Sequence, residues 1–121
     1  MRQVQIDRYG GPEVLHLVED VPDPDPAPGE VVVRTEAAGI TFVDTLSRAG
    51  RDPRPGPPPP LPRVLGNGVA GLVDGRRVVT ATGGAGGYAD RVVVPAEGVI
   101  PVPDGVDAAS AVALLADGRT A

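Results

Sequence analysis

The stretch Ala37-Ala-Gly-Ile-Thr-Phe-Val-Asp-Thr-Leu-Ser-Arg-Ala-Gly50 decides how this chain is read. A valine-rich run, Glu30-Val-Val-Val-Arg-Thr-Glu36, enters it as a strand, and a short helix is expected from Thr41 to Ala49, closed by Gly50. Thr41 and Asp44 stand at capping-box spacing, so the hydroxyl can accept the amide of residue 44 while the carboxylate reaches back. That arrangement sets polar side chains at the exposed start of a helix, beside Phe42, where unpaired N–H groups favour negative charge. Spacing alone requires no more than a well-capped helix.

Working outward, composition narrows the function classes. The 121 residues read as one domain, large enough for a core without covalent staples. No cysteine is present, which excludes disulfides, iron–sulfur clusters and thiolate zinc sites. A single histidine, His16, cannot form a cluster and reads as an ordinary strand residue. The net charge of −5 and pI near 4.7 argue against nucleic acid or an anionic membrane as partner. No apolar run reaches membrane-span length, and Met1-Arg-Gln-Val-Gln-Ile-Asp7 reads as a strand start, not a signal peptide. A cytoplasmic protein is expected.

Short β-branched runs punctuated by Gly, Pro and Asp imply a mainly β fold, a barrel or sandwich. Strands are expected over Met1–Arg8 and Glu13–Val18, joined by a turn at Tyr9-Gly-Gly-Pro12, then Glu30–Ala38, Val64–Val73, Arg76–Thr82 and Tyr88–Val94. Asp74-Gly75 makes the pair around it a hairpin. Val99–Pro103 is a short extended piece, and Asp104 or Asp107 caps a last helix ending near Asp117-Gly118. The acidic, proline-laced stretch Glu19–Gly29 reads as a solvated connector. Arg51–Pro62 reads as a stiff polyproline II surface segment, with recruitment of an SH3-type module as the functional alternative.

Gly66-Asn-Gly-Val-Ala-Gly71 spells the dinucleotide fingerprint G-x-G-x-x-G. The motif serves a nucleotide only between a strand and a helix, and here strand continues into a turn, so it is set aside. The run Gly83–Gly87 reads as a tight corner, its backbone N–H groups offering at most a weak anion site. What remains is a handful of polar groups that can share a cleft: Thr41, Asp44, Asn67 and Tyr88. Each has a plainer reading as a cap, turn or wall.

Taken together, Tyr9-Gly-Gly-Pro-Glu-Val-Leu15, Pro28-Gly-Glu-Val-Val-Val-Arg34, Ala37–Asp44, Gly87-Tyr-Ala-Asp90 and Pro101-Val-Pro-Asp-Gly-Val106 resemble the medium-chain dehydrogenase/reductase superfamily, in its zinc-independent quinone oxidoreductase branch. The resemblance spans nearly the whole chain in the right order. It implies a GroES-like, partly open β-barrel over residues 1–121, with NADPH lying between this domain and a Rossmann domain that these residues do not include. It also implies that the corner at Thr41 lines the substrate cleft. Zinc-dependent relatives place a cysteine ligand at that position and quinone reductases an asparagine, so no catalytic metal is expected. Asp44 keeps the family acid, and Thr120 resembles the residue that approaches nicotinamide. Gly68 stands where relatives often carry an acid, and Asp52 replaces a common tyrosine.

Substrate-cleft candidates are therefore Thr41, Phe42, Asp44, Asn67 and Tyr88, with Thr120 as a weak cofactor contact, no metal ligand and no assigned catalytic residue. The expected function is the substrate side of an NADPH-dependent, zinc-free quinone or enone oxidoreductase, as a fragment or half of a split enzyme. On that reading no cofactor binds this chain alone. The alternatives are a free-standing barrel that binds a small molecule or catalyses a cofactor-free isomerisation or cyclisation, and an interaction module acting through Pro53–Pro62. Partners are a small-molecule substrate and either a Rossmann-domain chain or a second copy in a two-fold dimer, because the apolar helix around Ala111–Leu115 needs cover.

Overall fold

Successive side chains on a strand point to opposite faces, and between residues 68 and 81 both faces are apolar. Val69 and Val78 join Val33, Val92 and Val94 on one side; Ala70 and Val79 join Ala108, Ala111 and Val112 on the other. A strand pair buried on both faces becomes the middle of the structure. The computed structural model describes residues 1–51, 56, 57, 59–83 and 85–120, the last five as backbone only. In chain order the elements are β1 (Gln3–Ile6), β2 (Leu15–Val18), β3 (Glu30–Ala38), α1 (Phe42–Arg48), β4 (Arg63–Val64), β5 (Gly68–Val73), β6 (Arg76–Ala81), β7 (Arg91–Pro95), β8 (Ile100–Pro101) and α2 (Ala108–Thr120).

Five strands form one antiparallel sheet in the order β7-β3-β5-β6-β8, and three form a second in the order β2-β1-β4. The sheets are stitched where Val4 N–H donates to the Tyr88 carbonyl (2.8 Å) and Asp90 N–H to the Arg2 carbonyl (3.0 Å). They do not close into a cylinder, and the result is a partly open, GroES-like β-barrel. Alanine at positions 70, 108 and 111 lets α2 lie close on the large sheet. Gly39 and Gly68 sit beneath it, where an added Cβ would come within 3.3 Å of Val112 and 3.0 Å of Leu115. A third cluster, Ile6, Val14 and Leu65, fills the space between the small sheet and the loop after β4. Among the described residues no helix is long and apolar enough to cross a membrane.

The hairpin at Asp74-Gly75 forms as its sequence requires, with φ of 50° and 80° at the two turn residues. Asp107 rather than Asp104 caps α2, its Oδ1 accepting Ser110 N–H at 2.7 Å. That backbone bond holds the Asp107 carboxyl below its ordinary range. Other boundaries differ from expectation. Val64–Val73 is not one strand: β4 pairs with β1 in the small sheet, and the chain breaks at Leu65–Asn67 before β5 joins the large one. The break is needed because Gly66, at φ 114°, turns the chain between sheets. Pro12–Val14 is a turn of 3-10 helix, so the second strand starts at Leu15. Tyr88–Asp90 bridges the sheets, and β7 begins only at Arg91. The last helix continues past Gly118 to Thr120. Residues 52–55 and 58, part of the proline-rich stretch, lie outside the described residues.

The register of β3 on β5 slips between Thr35 and Ala37, a bulge that drives the Arg34 carbonyl toward Gly71. A Cβ at residue 71 would lie 2.0 Å from that oxygen. Gly71→Ala therefore has to push two central strands apart, and urea unfolding should show a loss of about 1–3 kcal/mol. An unchanged midpoint would mean that the bulge is not rigid.

Candidate functional site

The bulge turns β3 toward Gly39, and the chain then starts α1 with Thr41 as its N-cap. The capping box is complete. Asp44 N–H donates to Thr41 Oγ1 (3.3 Å), while Asp44 Oδ2 accepts Thr41 N–H (2.8 Å) and the Thr41 hydroxyl (3.1 Å). Asp44 does more than cap. It is only 4% exposed, and its other oxygen accepts Asn67 Nδ2 at 2.5 Å. The phenol of Tyr88 lies close enough to feel this carboxylate.

Three remote segments thus meet on one side chain. Asn67 is held in place because its carbonyl accepts Thr82 N–H (2.9 Å). Tyr88 is held because its N–H donates to the Leu65 carbonyl (3.0 Å) while its own carbonyl takes Val4 N–H. Between them, Gly66 and Gly87 pack backbone against backbone, and a Cβ on Gly66 would fall 2.7 Å from Gly87 Cα. Gly86 and Gly87 give their N–H groups to Val64 and Gly66 carbonyls, so those two amides are not available to an anion.

Burial, then the nearby Asp44 charge and hydrogen bond, push the Tyr88 hydroxyl up to about 12, with Arg48 opposing. Tyr88 therefore stays a neutral donor near neutral pH. An Asp44 carboxylate that accepts from a backbone amide, a hydroxyl and an amide side chain has both oxygens engaged, which suits it to positioning rather than to proton transfer. Chemically, the cluster is a rigid polar floor.

Apolar walls rise on both sides. One cleft of about 510 Å³ is lined by Val4, Leu17, Ile40, Leu65, Asp44 and Tyr88, among others. A second groove of about 740 Å³ runs between the start of α1 and α2, past Thr41, Phe42, Val43 and Val112. Ile40 borders both, and it and Phe42 are 81% and 75% exposed, a large apolar outlay for one corner.

The G-x-G-x-x-G residues serve packing. Gly66 meets Gly87, Gly68 lies under α2 and Gly71 faces the bulge, while β5 runs straight through 68–71 with no helix start to receive a diphosphate. Among the described residues no group of three or more His, Cys, Asp or Glu could hold a metal ion. His16 is exposed and pairs with Asp7 at 3.2 Å, away from the cluster. Thr120 falls in the last turn of α2.

Residues 27–104 match the family model described as the alcohol dehydrogenase GroES-like domain. The chain belongs to this family. The GroES-like domain is similar to the quinone oxidoreductase of Pseudomonas aeruginosa, at 38% identity over 98% of this chain and 38% of that protein. By structure it is similar to Escherichia coli quinone oxidoreductase complexed with NADPH, with TM-score 0.88, 34% identity, and 99% and 39% of the two chains covered. It is likewise similar to the quinone oxidoreductase of Pseudomonas syringae, with TM-score 0.85, 36% identity, and 98% and 38% covered. The chain is thus an N-terminal GroES-like domain of the quinone oxidoreductase-like medium-chain dehydrogenases/reductases, spanning under two-fifths of the length of these relatives.

Sequence reasoning found four members of the cluster and missed Arg48 and Ile40. Arg48 stands four residues after Asp44, on the same helix face, and that spacing was a readable signal. Its Nε donates to the Gly10 carbonyl at 3.3 Å, tying α1 to the first turn.

With Tyr9→Phe, Tyr88 is the one remaining phenol, and its tyrosinate absorbance should titrate near 12. Adding Asp44→Asn removes two of the three causes and should lower that midpoint toward the ordinary value of about 10. Because the folded value is raised, stability from this group is intact below the unfolded value and is lost as pH rises through the folded one. Titration at the ordinary value in the Asp44-containing protein would contradict the cluster.

Proposed function

We propose that this domain forms the substrate side of a zinc-free, NADPH-dependent oxidoreductase acting on quinones or enones. The observation that carries the reading is the fixed polar floor of Thr41, Asp44, Asn67 and Tyr88, with apolar clefts opening beside it. A planar, uncharged substrate fits such walls, and the family relationship supplies the reaction class. The zinc-free reading is supported by Thr41 at the corner, whose hydroxyl is engaged with Asp44, and by the lack of any cysteine in the chain.

The described residues do not fit a dinucleotide, since residues 68–71 are packed strand and no helix start follows the glycines. NADPH is then held by a Rossmann domain, whether joined to this one or supplied as a partner chain. Hydride transfer requires the nicotinamide against the substrate, and this domain's part is to bind and orient that substrate and to exclude water. Phe42 and Ile40, exposed beside the groove against α2, form the face that the nucleotide-binding unit covers, or that a second copy covers in a two-fold dimer. A second reading, a stand-alone small-molecule barrel, is supported by the volume of the first cleft, which lies within the usual range of ligand pockets.

Calorimetric titration of residues 1–121 with NADPH should give no saturable heat, and light scattering should show a mass above the monomer. Tight NADPH binding by these residues alone would overturn the main reading. Turnover of a small molecule by these residues without nucleotide would favour the second, and a sharp monomer mass would count against self-association.

A further inference from the structure

The chain contains one asparagine, Asn67, and a glycine follows it. Asn-Gly is the dipeptide most open to backbone attack on the side-chain amide, because glycine puts no Cβ in the path. We propose that Asn67-Gly68 is a latent deamidation site, kept intact by the hydrogen bonds around Asp44, whose conversion opens the polar cluster. The inference does not depend on the functional reading above.

The step balances without a co-reactant other than water. The Gly68 nitrogen, having lost its proton, attacks Asn67 Cγ and forms the new C–N bond. The Cγ–Nδ2 bond breaks, Nδ2 gains one proton, balancing the one lost from the Gly68 nitrogen, and leaves as ammonia, and a succinimide closes. Water then opens the ring at either carbonyl, leaving aspartate or isoaspartate at 67. Neither route changes oxidation state.

In the folded chain three contacts oppose the attack. Nδ2, the leaving group, is bound to Asp44 Oδ1. The Asn67 carbonyl accepts Thr82 N–H, and the Gly68 carbonyl accepts Gly39 N–H, both at 2.9 Å. The backbone on either side of the Gly68 nitrogen is therefore held, one peptide unit by Thr82 and the next by Gly39, while the side chain is held by Asp44. Closing the five-membered ring requires the amide to leave Asp44 and the backbone to rotate, an opening that the fold must first permit.

The product is incompatible with the site. Aspartate at 67 puts a second carboxylate where a donor stood, within contact of Asp44. Two carboxylates so placed cannot both ionise freely. The other titratable groups facing the pair are Tyr88, which is neutral, and Arg48, whose field reaches Tyr88. The pair binds protons more readily folded than unfolded, so the penalty is largest at neutral pH and shrinks on acidification.

Peptide mapping by mass spectrometry after incubation in mildly alkaline buffer tests this. In urea the wild-type chain should convert at residue 67, and the native protein should convert at least about tenfold more slowly, as expected when a protected opening precedes the chemistry. Asp44→Asn, checked for folding by circular dichroism, should convert faster than native wild type. If that variant does not fold, Asn67→Asp carries the test: its melting temperature should fall below wild type at neutral pH and approach it in acid. Equal conversion rates in native and unfolded wild type, or an Asn67→Asp melting deficit independent of pH, would overturn the proposal.

Discussion

The buried carboxylate of Asp44 is the constraint on which the site depends. Its three donors come from the start of α1 and the loop entering β5, and Tyr88, on the strand-like bridge before β7, sits within its field. None of these segments is adjacent in sequence, and each has backbone bonds fixing it elsewhere. Removing the acceptor would leave buried donors unpaired, at about 1–3 kcal/mol for each one that water cannot reach. A carboxylate used this way specifies geometry. It sets where Thr41, Asn67 and Tyr88 point, and the apolar clefts take their shape around that fixed floor.

The large sheet provides the rigidity this needs. Valine on one face of β5 and β6 and small residues on the other allow the sheet to be covered twice, by its own curled edges and by α2. Glycine is the enabling residue at the closest approaches. At Gly71 and Gly66 the neighbouring backbone occupies the space a side chain would take. A motif that spells a nucleotide loop elsewhere is here a record of three tight contacts, since the physics of close approach is shared and only the following element differs.

Much of this was legible from residues alone. The capping box at Thr41 and Asp44, the Asp74-Gly75 turn and the valine-rich run at 30–36 each rest on contacts within a few positions, and each formed as read. The resemblance carried over the same stretches supplied the barrel and the family. Less legible were features set by distant contacts. Nothing near Val64 announces that the chain leaves the small sheet at Leu65 for the large one, because the reason is Gly87 pressing on Gly66 some twenty residues later. That Asn67 and Tyr88 converge on Asp44, rather than lining a cleft separately, follows from the same packing. Arg48 was overlooked although its spacing was visible.

The central claim is that one side chain couples three segments, and amide hydrogen exchange tests it most directly. In Asp44→Ala the account predicts loss of protection together at Asp44, Thr82 and Tyr88, with the Val69–Val79 amides of the central hairpin left as in wild type. Loss confined to the first turn of α1, with Thr82 and Tyr88 unchanged, would show that Asp44 is a helix cap alone and would contradict the account.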